Sequence, residues 1–447
     1  MTVRRSAWML LLAWGAAWPA AAQQPASAPN VVLIVTDDLG YGDIGSYGAP
    51  DAKTPNIDRL AREGVRLTDF YANGSTCTPT RAALISGRYQ QRFELERPLG
   101  TGVDTGLPAE GRSLPQLLKN NGYATGLIGK WHLGEKPQFG PNAHGFDYFF
   151  GFKSGYIDYY QHTGGDGMHD LFENETPAHV SGYMTDLITE RSVRFIEQHS
   201  RERFFLEVAY NAPHWPYQVP DHPTTARDNA IHVQPYAPDS GTRQDYVAML
   251  ERADRGIGSI LALLDKTGLT QNTLVIFTND NGGEWLASNA PLFHRKWTLW
   301  EGGIRVPAIL RWPGRLPAGQ VSRQVGLTVD LTASILAATN TPVPEAARPD
   351  GINLLPILGG QSPVVERTLF WRMVYANRRM WAVRSGDWKL LIDGESAMVF
   401  DLRNDIGERN DLARQRQDVA RRLRPLVAAW EKDVDAEAQA RRARPVR

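Results

Sequence analysis

The sequence predicts an α/β protein with a large, mostly parallel sheet flanked by helices on both faces and a smaller C-terminal antiparallel sheet subdomain. Up to about residue 340, apolar runs alternate with amphipathic stretches such as NIDRLAREGV and TDLITERSVRFIEQ. This alternation is typical of buried parallel strands that are joined by helices. Further along, short strands separated by turns take over, which favours an antiparallel sheet.

Length and composition set the limits for this prediction. The chain has 447 residues, of which 42% are hydrophobic and 22% are charged. These fractions are ordinary for a soluble globular protein, and the length exceeds that of one typical domain. We therefore predict three parts: an N-terminal segment at 1–22, a large α/β domain at 23–340 and a C-terminal subdomain at 341–447.

The N-terminal residues have the pattern of a secretory signal peptide. Arg4 and Arg5 precede a short apolar run, and an A-x-A arrangement ends at Ala22. We expect cleavage after Ala22, which predicts a periplasmic or secreted protein. A membrane anchor is the alternative, but the run is short and lacks a stop-transfer flank, so we expect no stable membrane insertion.

The charge balance and the cysteine count exclude two classes. Lys and Arg together number 49, as do Asp and Glu, and removal of residues 1–22 takes away two arginines and leaves a formal charge of minus two. This balance gives no electrostatic case for nucleic acid as a partner. The single cysteine, Cys77, cannot form an internal disulfide, and a buried, inert thiol is the plain alternative to a chemical role.

Four predicted strands end in polar residues that are able to do chemistry. The strands lie at 31–35, near 127–128, at 204–210 and at 274–278. Because ligands of parallel sheets bind beyond the carboxyl ends of the strands, we expect these polar residues to share one rim. In chain order they are Asp37 and Asp38, then Lys130 and His132, then His214, and finally Asp280 and Asn281.

The first and last of these groups offer oxygen ligands only. Asp37, Asp38, Asp280 and Asn281 suit a hard divalent cation such as calcium or magnesium better than zinc. An acidic pair after a strand is a weak signal alone, because Asp often caps helices and stabilises turns. Two oxygen-rich groups at two strand ends strengthen the prediction of a metal site.

A second set of residues carries positive charge or transfers protons. Lysine and arginine stabilise an oxyanion such as sulfate or phosphate, and histidine moves protons near neutral pH. Each residue alone is more often a surface charge or a structural histidine, so their combination carries the prediction. The set comprises Arg81, Lys130, His132, His214 and Lys296.

The motifs around these residues resemble those of the sulfatase family, within the alkaline phosphatase superfamily. The resemblance runs from about residue 30 to residue 411, and its most specific element is C-x-P-[ST]-R. That element is present as Cys77, Pro79, Thr80 and Arg81. The other matches are GKWHLG at 129–134, PHWP at 213–216, NDNG at 279–282, and Lys296 before EGGIRVP at 301–307.

The resemblance implies a use for the single cysteine. In this family a formylglycine-generating enzyme converts the motif cysteine to formylglycine, and here that residue is Cys77. Pro79 and Arg81 would be part of what the modifying enzyme recognises. The hydrated aldehyde attacks the sulfur of a sulfate ester, forms a covalent sulfate and then releases inorganic sulfate.

Carried over residue by residue, the resemblance implies a role for each candidate. Asp37, Asp38, Asp280 and Asn281 would bind one calcium ion, with magnesium less favoured, together with an oxygen of the modified Cys77. Arg81 and Lys130 would steady the diol, and His132 would be the base of the elimination step. His214 and Lys296 would hold the sulfate and assist the leaving group, and Ser154 is a candidate sulfate contact with a loose spacing match.

Three functions remain open at this point. The leading one is a sulfatase that acts on a sulfated carbohydrate, and on aryl sulfates in assays. The second is a formylglycine-dependent phosphodiesterase or phosphonate monoester hydrolase, which transfers a similar tetrahedral anion. The third is a catalytically inactive protein that binds sulfated glycans, although neither Cys77, Arg81 nor a metal carboxylate is lost.

The C-terminal subdomain is predicted from four short strands and a closing helix. The strands are TLFWRMVY, MWAVRSG, DWKLLID and AMVFDL, with turns at 385–387 and 393–395 and a helix at about 419–433. Some side chains of this sheet can border a pocket, although strand packing or a solvated hairpin is the favoured interpretation for each. These are Trp371, Arg372, Arg378, Arg379 and Trp381.

Overall fold

The computed structural model describes residues 28–222, 241–375 and 377–443, and the predicted signal peptide at 1–22 lies outside them. The strands are β1 (Asn30–Thr36), β2 (Val65–Leu67), β3 (Phe70–Tyr71), β4 (Ala124–Lys130), β5 (Tyr148–Phe152), β6 (Phe172–Glu173), β7 (Thr176–Pro177), β8 (Phe204–Ala209), β9 (Thr273–Asn279), β10 (Ala308–Arg311), β11 (Gln320–Ser322), β12 (Gly326–Leu327), β13 (Thr368–Tyr375), β14 (Arg378–Ser385), β15 (Trp388–Asp393) and β16 (Ser396–Asp401). The α-helices are α1 (Pro55–Glu63), α2 (Cys77–Ser86), α3 (Leu114–Asn120), α4 (Met184–Gln198), α5 (Arg243–Lys266), α6 (Glu301–Ile304), α7 (Thr328–Ala338), α8 (Leu355–Leu358) and α9 (Gln417–Arg442). Short 3-10 helices lie at Gly45–Tyr47, Gln90–Phe93, Pro137–Phe139, Asn142–His144, Thr270–Asn272 and Glu345–Ala347.

A ten-stranded sheet forms the centre of the molecule, in the order β11-β2-β10-β9-β1-β8-β4-β5-β6-β7. The five strands β9, β1, β8, β4 and β5 are all parallel. On one side of them, β10 runs antiparallel to both β9 and β2, and on the other side β6 and β7 form a short antiparallel hairpin. The predicted large, mostly parallel sheet is therefore confirmed.

Helices cover both faces of this sheet, as predicted. Val32 and Ile34 of β1 point into a core that includes residues of α1, α4 and α5. Val31 and Leu33 point the other way, into a core that includes residues of α2, α3 and α7. Each of these side chains is fully buried, and such burial contributes roughly 1.5–3 kcal/mol per side chain. The near-continuous apolar runs of the sequence follow from this two-sided burial.

The register of the parallel strands brings their carboxyl ends to one edge. Val35 of β1 pairs with Ala209 of β8 and with Thr278 of β9, and Ala209 also pairs with Gly129 of β4. The loops that follow these four strands therefore begin at the same height. This register confirms the predicted common rim.

The small sheet consists of β13, β14, β15 and β16, all antiparallel. One face packs against α9 through Val419 and Leu423, and the other face shares a core with residues of the large domain, including Leu327 of β12. The predicted helix at 419–433 is too short, because α9 continues to Arg442. Buried residues such as Val434 and Ala438 extend the apolar stripe at helical spacing beyond residue 433.

The predicted boundary between residues 340 and 341 follows the end of α7 and stays a prediction. No helix within the described parts of the chain is both long enough and apolar enough to cross a bilayer.

Candidate active site

Asp37 and Asp38 lie directly beyond the end of β1, and both are buried. Asp38 has a φ of 60°, a left-handed conformation that residues other than glycine adopt mainly at constrained, often functional, positions. Asp37 Oδ2 accepts a hydrogen bond from Lys130 Nζ at 2.5 Å. Burial raises the pKa of Asp37, but Lys130 and the other nearby cations outweigh it and hold that pKa well below its ordinary value.

Asp280 and Asn281 lie beyond the end of β9, the strand next to β1. Asp280 Oδ2 accepts from Arg81 Nε at 3.0 Å and lies 2.9 Å from Arg81 Nη2. Asn281 Nδ2 donates to Asp38 Oδ1 at 2.7 Å. Burial, reinforced by repulsion from Asp37, raises the pKa of Asp280 to about 7. Ionisation of Asp280 beside the charged Asp37 is therefore unfavourable unless a cation balances the two negative charges.

Three oxygens of this group fit the needs of a hard cation. Asp37 Oδ1, Asp280 Oδ1 and Asn281 Oδ1 are buried and have no hydrogen-bonding partner among the described residues. One oxygen each from Asp37, Asp38 and Asp280 lies within 4.8 Å of the others. A buried oxygen without a partner is costly, whereas calcium takes six to eight oxygen ligands. The predicted metal-binding residues therefore come together in an arrangement that suits such an ion.

Cys77 is the first residue of α2 and is only 2% exposed. Its Sγ, a carboxylate oxygen of Asp37 and a ring nitrogen of His214 all lie within 4.8 Å of one another. Burial raises the pKa of the Cys77 thiol, although Lys130 and Lys296 lower it in part. The thiolate is disfavoured, so the unmodified side chain is a poor nucleophile.

Arg81 and Lys130 reach the rim from different elements. Arg81 follows Cys77 by four positions on α2, which places both side chains on the same face of the helix. Its Nη1 donates to the Lys130 carbonyl oxygen at 3.2 Å. Gly129 has a φ of 119°, and a Cβ there would lie 1.9 Å from the carbonyl oxygen of Ala209. Only glycine allows this close approach of β4 to β8, which sets the position of Lys130.

His214 and Lys296 form a pair beside Asp38. Lys296 Nζ lies 2.8 Å from Asp38 Oδ2 and 3.4 Å from His214 Nε2. His214 Nδ1 is in contact with the Trp215 carbonyl oxygen, so that nitrogen carries the proton of the neutral ring and Nε2 faces the lysine. Burial lowers the pKa of His214, although Asp37 and Asp38 raise it in part. Next to each other, a neutral imidazole can accept a proton and an ammonium group can donate one to a bound substrate oxygen.

His132 is the second buried histidine of the site and has a left-handed φ of 58°. Its Nε2 lies 3.0 Å from the Leu99 carbonyl oxygen, so Nε2 donates and Nδ1 keeps its lone pair. Nδ1 has no hydrogen-bonding partner among the described residues. Burial, together with the charge of Lys130, lowers the pKa of His132 well below its ordinary value. The ring is therefore a neutral base with a free acceptor nitrogen.

Ser154 lies apart from this network of contacts. Its hydroxyl donates to the Tyr156 carbonyl oxygen at 2.8 Å, and its backbone N–H donates to Asp170. It lines a cavity of about 120 Å³ together with Lys153 and Asp170. The next residue, Gly155, lies against the His132 ring, because a Cβ there would come within 2.8 Å of a ring carbon. A sulfate contact of Ser154 stays a prediction.

Sequence reasoning missed other residues at this rim. Glu284 Oε2 lies 3.9 Å from Lys296 Nζ and accepts from Trp297 Nε1 at 3.1 Å. Asn211, at the end of β8, has a buried side-chain amide without a partner among the described residues. Their positions in the sequence could have indicated both residues, because each lies within three residues of a recognised motif or candidate.

Most of the pocket candidates from the small sheet have structural roles. Trp371 is fully buried, Arg372 forms ion pairs with Glu431 and Asp435 of α9, and Trp381 Nε1 donates to the same Glu431 carboxylate at 2.6 Å. The favoured interpretation, strand packing, is confirmed for these three. Arg378 and Arg379 are exposed at the start of β14.

Comparison with known proteins identifies the family. The sulfatase family model matches residues 29–341, and the model for the N-sulphoglucosamine sulphohydrolase C-terminal region matches residues 290–432. The chain is 35% identical over 412 residues to N-acetylgalactosamine-6-sulfatase of Canis lupus familiaris, which covers 86% of this chain and 75% of that protein. It is 32% identical over 481 residues to arylsulfatase A of Bos taurus, which covers 92% and 88%.

A solved structure gives the same result at the level of the fold. The crystal structure of Ps i-CgsB superposes with a TM-score of 0.80 at 32% identity and covers 90% of this chain and 93% of that one. The matched regions include the carboxylate cluster, Cys77 and the His214–Lys296 pair. The chain therefore belongs to the sulfatase family and is a sulfuric ester hydrolase.

Proposed function

We propose that this sulfatase acts through a formylglycine made from Cys77 and that its natural substrate is a sulfated carbohydrate. The observation that carries the proposal is the position of Cys77. The only cysteine of the chain begins α2 in a buried site, between the carboxylates of Asp37 and Asp280 and the cations Lys130 and Lys296. Membership in the sulfatase family and the disfavoured thiolate both support a precursor role for this residue.

The hydrated aldehyde would carry two hydroxyl groups on one carbon. In the first step one hydroxyl group gives its proton to the neutral ring of His214, its oxygen bonds to the sulfur of the ester, and the bond from sulfur to the alcohol oxygen breaks. The leaving alcohol takes a proton from the His214–Lys296 pair, whose facing atoms are 3.4 Å apart. Arg81 and Lys130 hold the carboxylates beneath the nucleophile and add positive charge there.

In the second step the remaining hydroxyl group loses its proton to a base. His132 fits this role, because it is neutral and its Nδ1 has no partner among the described residues. The carbonyl bond of formylglycine reforms, the carbon–oxygen bond to sulfate breaks, and inorganic sulfate leaves. Water then adds to the aldehyde and restores the diol. Serine has a single hydroxyl group and cannot complete this elimination.

We assign a calcium ion to the oxygens of Asp37, Asp38, Asp280 and Asn281. The sulfatase family typically binds a metal, and the buried carboxylate cluster fits one. Calcium is favoured over magnesium because the site offers oxygens from four side chains, whereas magnesium usually keeps several of its waters. When bound, the ion supplies positive charge that lowers the pKa of a nearby hydroxyl group and neutralises developing charge on sulfate oxygens.

The names of relatives support a carbohydrate substrate. Relatives at 35% identity are named N-acetylgalactosamine-6-sulfatase, and the structure of Ps i-CgsB has also been solved in complex with k-i-k-neocarrahexaose. The pattern of residues 1–22 supports export to the periplasm or beyond. A mature N-terminus at Gln23, measured by intact mass on protein from the native host, would agree with this assignment.

Mass spectrometry of the tryptic peptide 67–81 tests the formylglycine. The protein is expressed with and without a formylglycine-generating enzyme, and the fraction of peptide that has exchanged its thiol for an aldehyde is measured. Hydrolysis of 4-nitrophenyl sulfate should rise in proportion to that fraction, while Cys77→Ala should be inactive in both hosts. Full activity of protein that contains only unmodified Cys77 would refute the proposal.

A second assay separates sulfate from phosphate chemistry. Fully converted protein is given 4-nitrophenyl sulfate and bis-4-nitrophenyl phosphate at matched concentrations. We expect the sulfate ester to have the higher kcat/KM, because family membership indicates a sulfatase. A higher kcat/KM for the phosphate diester would favour the phosphodiesterase alternative instead.

A further inference from the structure

Two aromatic side chains from different parts of the chain meet beside Lys296. Trp297 belongs to the segment that follows β9, and Tyr375 is the last residue of β13 in the small sheet. Their ring centroids are 4.7 Å apart, with an angle of 45° between the ring planes. The contact therefore joins the large domain to the small sheet.

Trp297 is held close to the reacting groups. Lys296 Nζ, which contacts Asp38, lies 5.9 Å from the centroid of the Trp297 ring. The indole Nε1 donates to Glu284, and the backbone N–H donates to the Ser75 carbonyl oxygen at 3.0 Å, two positions before Cys77. Trp297 has a left-handed φ of 68°, and Asp38 and His132 of the site are also left-handed. Such strain persists only where the surroundings hold it, and it clusters at ligand-binding positions.

Tyr375 is placed by the alternation of side chains along β13. Leu369, Trp371 and Met373 point towards the large domain and are buried. Met373 Sδ lies 3.2 Å from Ser75 Oγ, directly before the segment that contains Cys77. Tyr375 continues the same face by one more step, yet it is 49% exposed. The row of inward side chains thus ends in an open aromatic ring next to the active site.

We propose that Trp297 and Tyr375 form an aromatic platform that binds a pyranose ring of a sulfated oligosaccharide while its sulfate lies at Lys296. The inference rests on the proposed carbohydrate substrate and adds the residues that recognise the sugar. Sugar rings present a face of C–H groups that packs on aromatic rings, and tyrosine offers this surface with little loss of side-chain entropy. Tyr375 is a specificity-determining residue in this arrangement, and it takes no part in proton transfer.

Steady-state kinetics of Tyr375→Ala and Tyr375→Phe test the platform. The substrates are 4-nitrophenyl sulfate and a panel of galactose and N-acetylgalactosamine sulfates, as monosaccharides and as tetrasaccharides. For the sugar sulfate with the highest kcat/KM, Tyr375→Ala should raise KM by roughly three- to tenfold with little change in kcat, the range expected for the loss of one aromatic contact. Tyr375→Phe should keep the wild-type KM, because the ring and not the hydroxyl group makes the contact.

A structural role of Tyr375 predicts a different result. If the ring only docks the small sheet, Tyr375→Ala should lower Tm and reduce the hydrolysis of 4-nitrophenyl sulfate as well. The platform predicts instead that the loss in kcat/KM is several-fold larger for the sugar sulfates than for 4-nitrophenyl sulfate, whatever the change in Tm. Leu426→Ala, which truncates a 37% exposed apolar side chain on α9, serves as the matched control and should behave as wild type.

Two further outcomes would overturn the platform, and they are distinguishable. Equal KM values for wild type and Tyr375→Ala on every hydrolysed sugar sulfate would remove the platform and keep the carbohydrate assignment. Hydrolysis of 4-nitrophenyl sulfate without hydrolysis of any sugar sulfate by wild type would remove the carbohydrate assignment, and the platform with it.

Discussion

Replacing Asp280 with asparagine tests the cation site with little change in shape. Asp280 Oδ2 lies 2.9 Å from Arg81 Nη2, while Oδ1 is buried without a partner among the described residues. Asparagine keeps an oxygen at that position and removes the negative charge. We therefore expect Asp280→Asn to fold and to bind calcium more weakly.

The size of the effect follows from the electrostatics of a buried site. Two unit charges 4 Å apart attract by about 4 kcal/mol at an effective dielectric constant of 20. Calcium carries two charges and a ligand oxygen lies closer than about 4 Å, and both increase the attraction. Asp280 shares its charge with Arg81, and desolvation offsets part of the remainder, so we take about 3 kcal/mol, or a roughly 100-fold weaker Kd. Calcium at 100 times Kd stabilises the folded state by about 2.7 kcal/mol, and at one Kd by about 0.4 kcal/mol. For a chain of this length these values correspond to Tm increases of about 3 °C and less than about 0.5 °C.

Thermal unfolding in a calcium titration after treatment with EDTA measures both values. At the calcium concentration that raises the Tm of wild type by about 3 °C, Asp280→Asn should show almost no increase. Asp170→Asn is the matched control, because burial raises the pKa of Asp170 to about 6 and this carboxylate belongs to a separate cavity. A calcium midpoint of Asp280→Asn equal to that of wild type would refute the assignment of Asp280 as a ligand.

Three further substitutions test other parts of the molecule. Lys296→Met should lower kcat/KM for 4-nitrophenyl sulfate by roughly 10²–10³ in steady-state kinetics, the usual loss when one donor to a developing oxyanion is removed. Lys389→Met leaves the buried carboxylates of Glu301 and Glu408 without their 2.8 Å partner, so urea unfolding should show a loss of about 3–5 kcal/mol. Burial raises the pKa of Glu207 from 4.5 to about 7, so the folded state retains a proton that the unfolded state loses. The free energy of unfolding of the wild type therefore decreases as the pH rises from about 4.5 to about 7. The stability of Glu207→Gln relative to wild type should therefore increase by up to about 3 kcal/mol from pH 5 to pH 8, as measured by urea unfolding.

Each of these substitutions has an outcome that would contradict its reasoning. An unchanged kcat/KM would show that Lys296 does not act on the reacting groups. For Lys389, a partial recovery in the double variant with Glu408→Gln is expected, and wild-type stability of Lys389→Met would contradict the buried pairing. Parallel pH profiles of wild type and Glu207→Gln would show that the Glu207 carboxyl has an ordinary pKa when folded.

Much of the fold was predictable because its causes are local. A strand that is buried on both faces must be apolar throughout, so β1, β8 and β9 are visible as continuous runs. The rim followed from one topological rule, since parallel strands bring their carboxyl ends to one edge. The end of α9 was predicted too early, although Val434 and Ala438 continue the helical spacing.

The sequence by itself determined the sheet, the rim and the set of residues available for chemistry, because periodicity and short motifs act over a few positions. Only the tertiary structure decided which of these residues touch. It pairs Arg81 with Asp280, leaves Nδ1 of His132 without a partner among the described residues, and brings Trp297 against Tyr375, 78 positions further along the chain. Contacts between residues so far apart depend on how the large domain and the small sheet pack together, and no local pattern in the sequence encodes that packing.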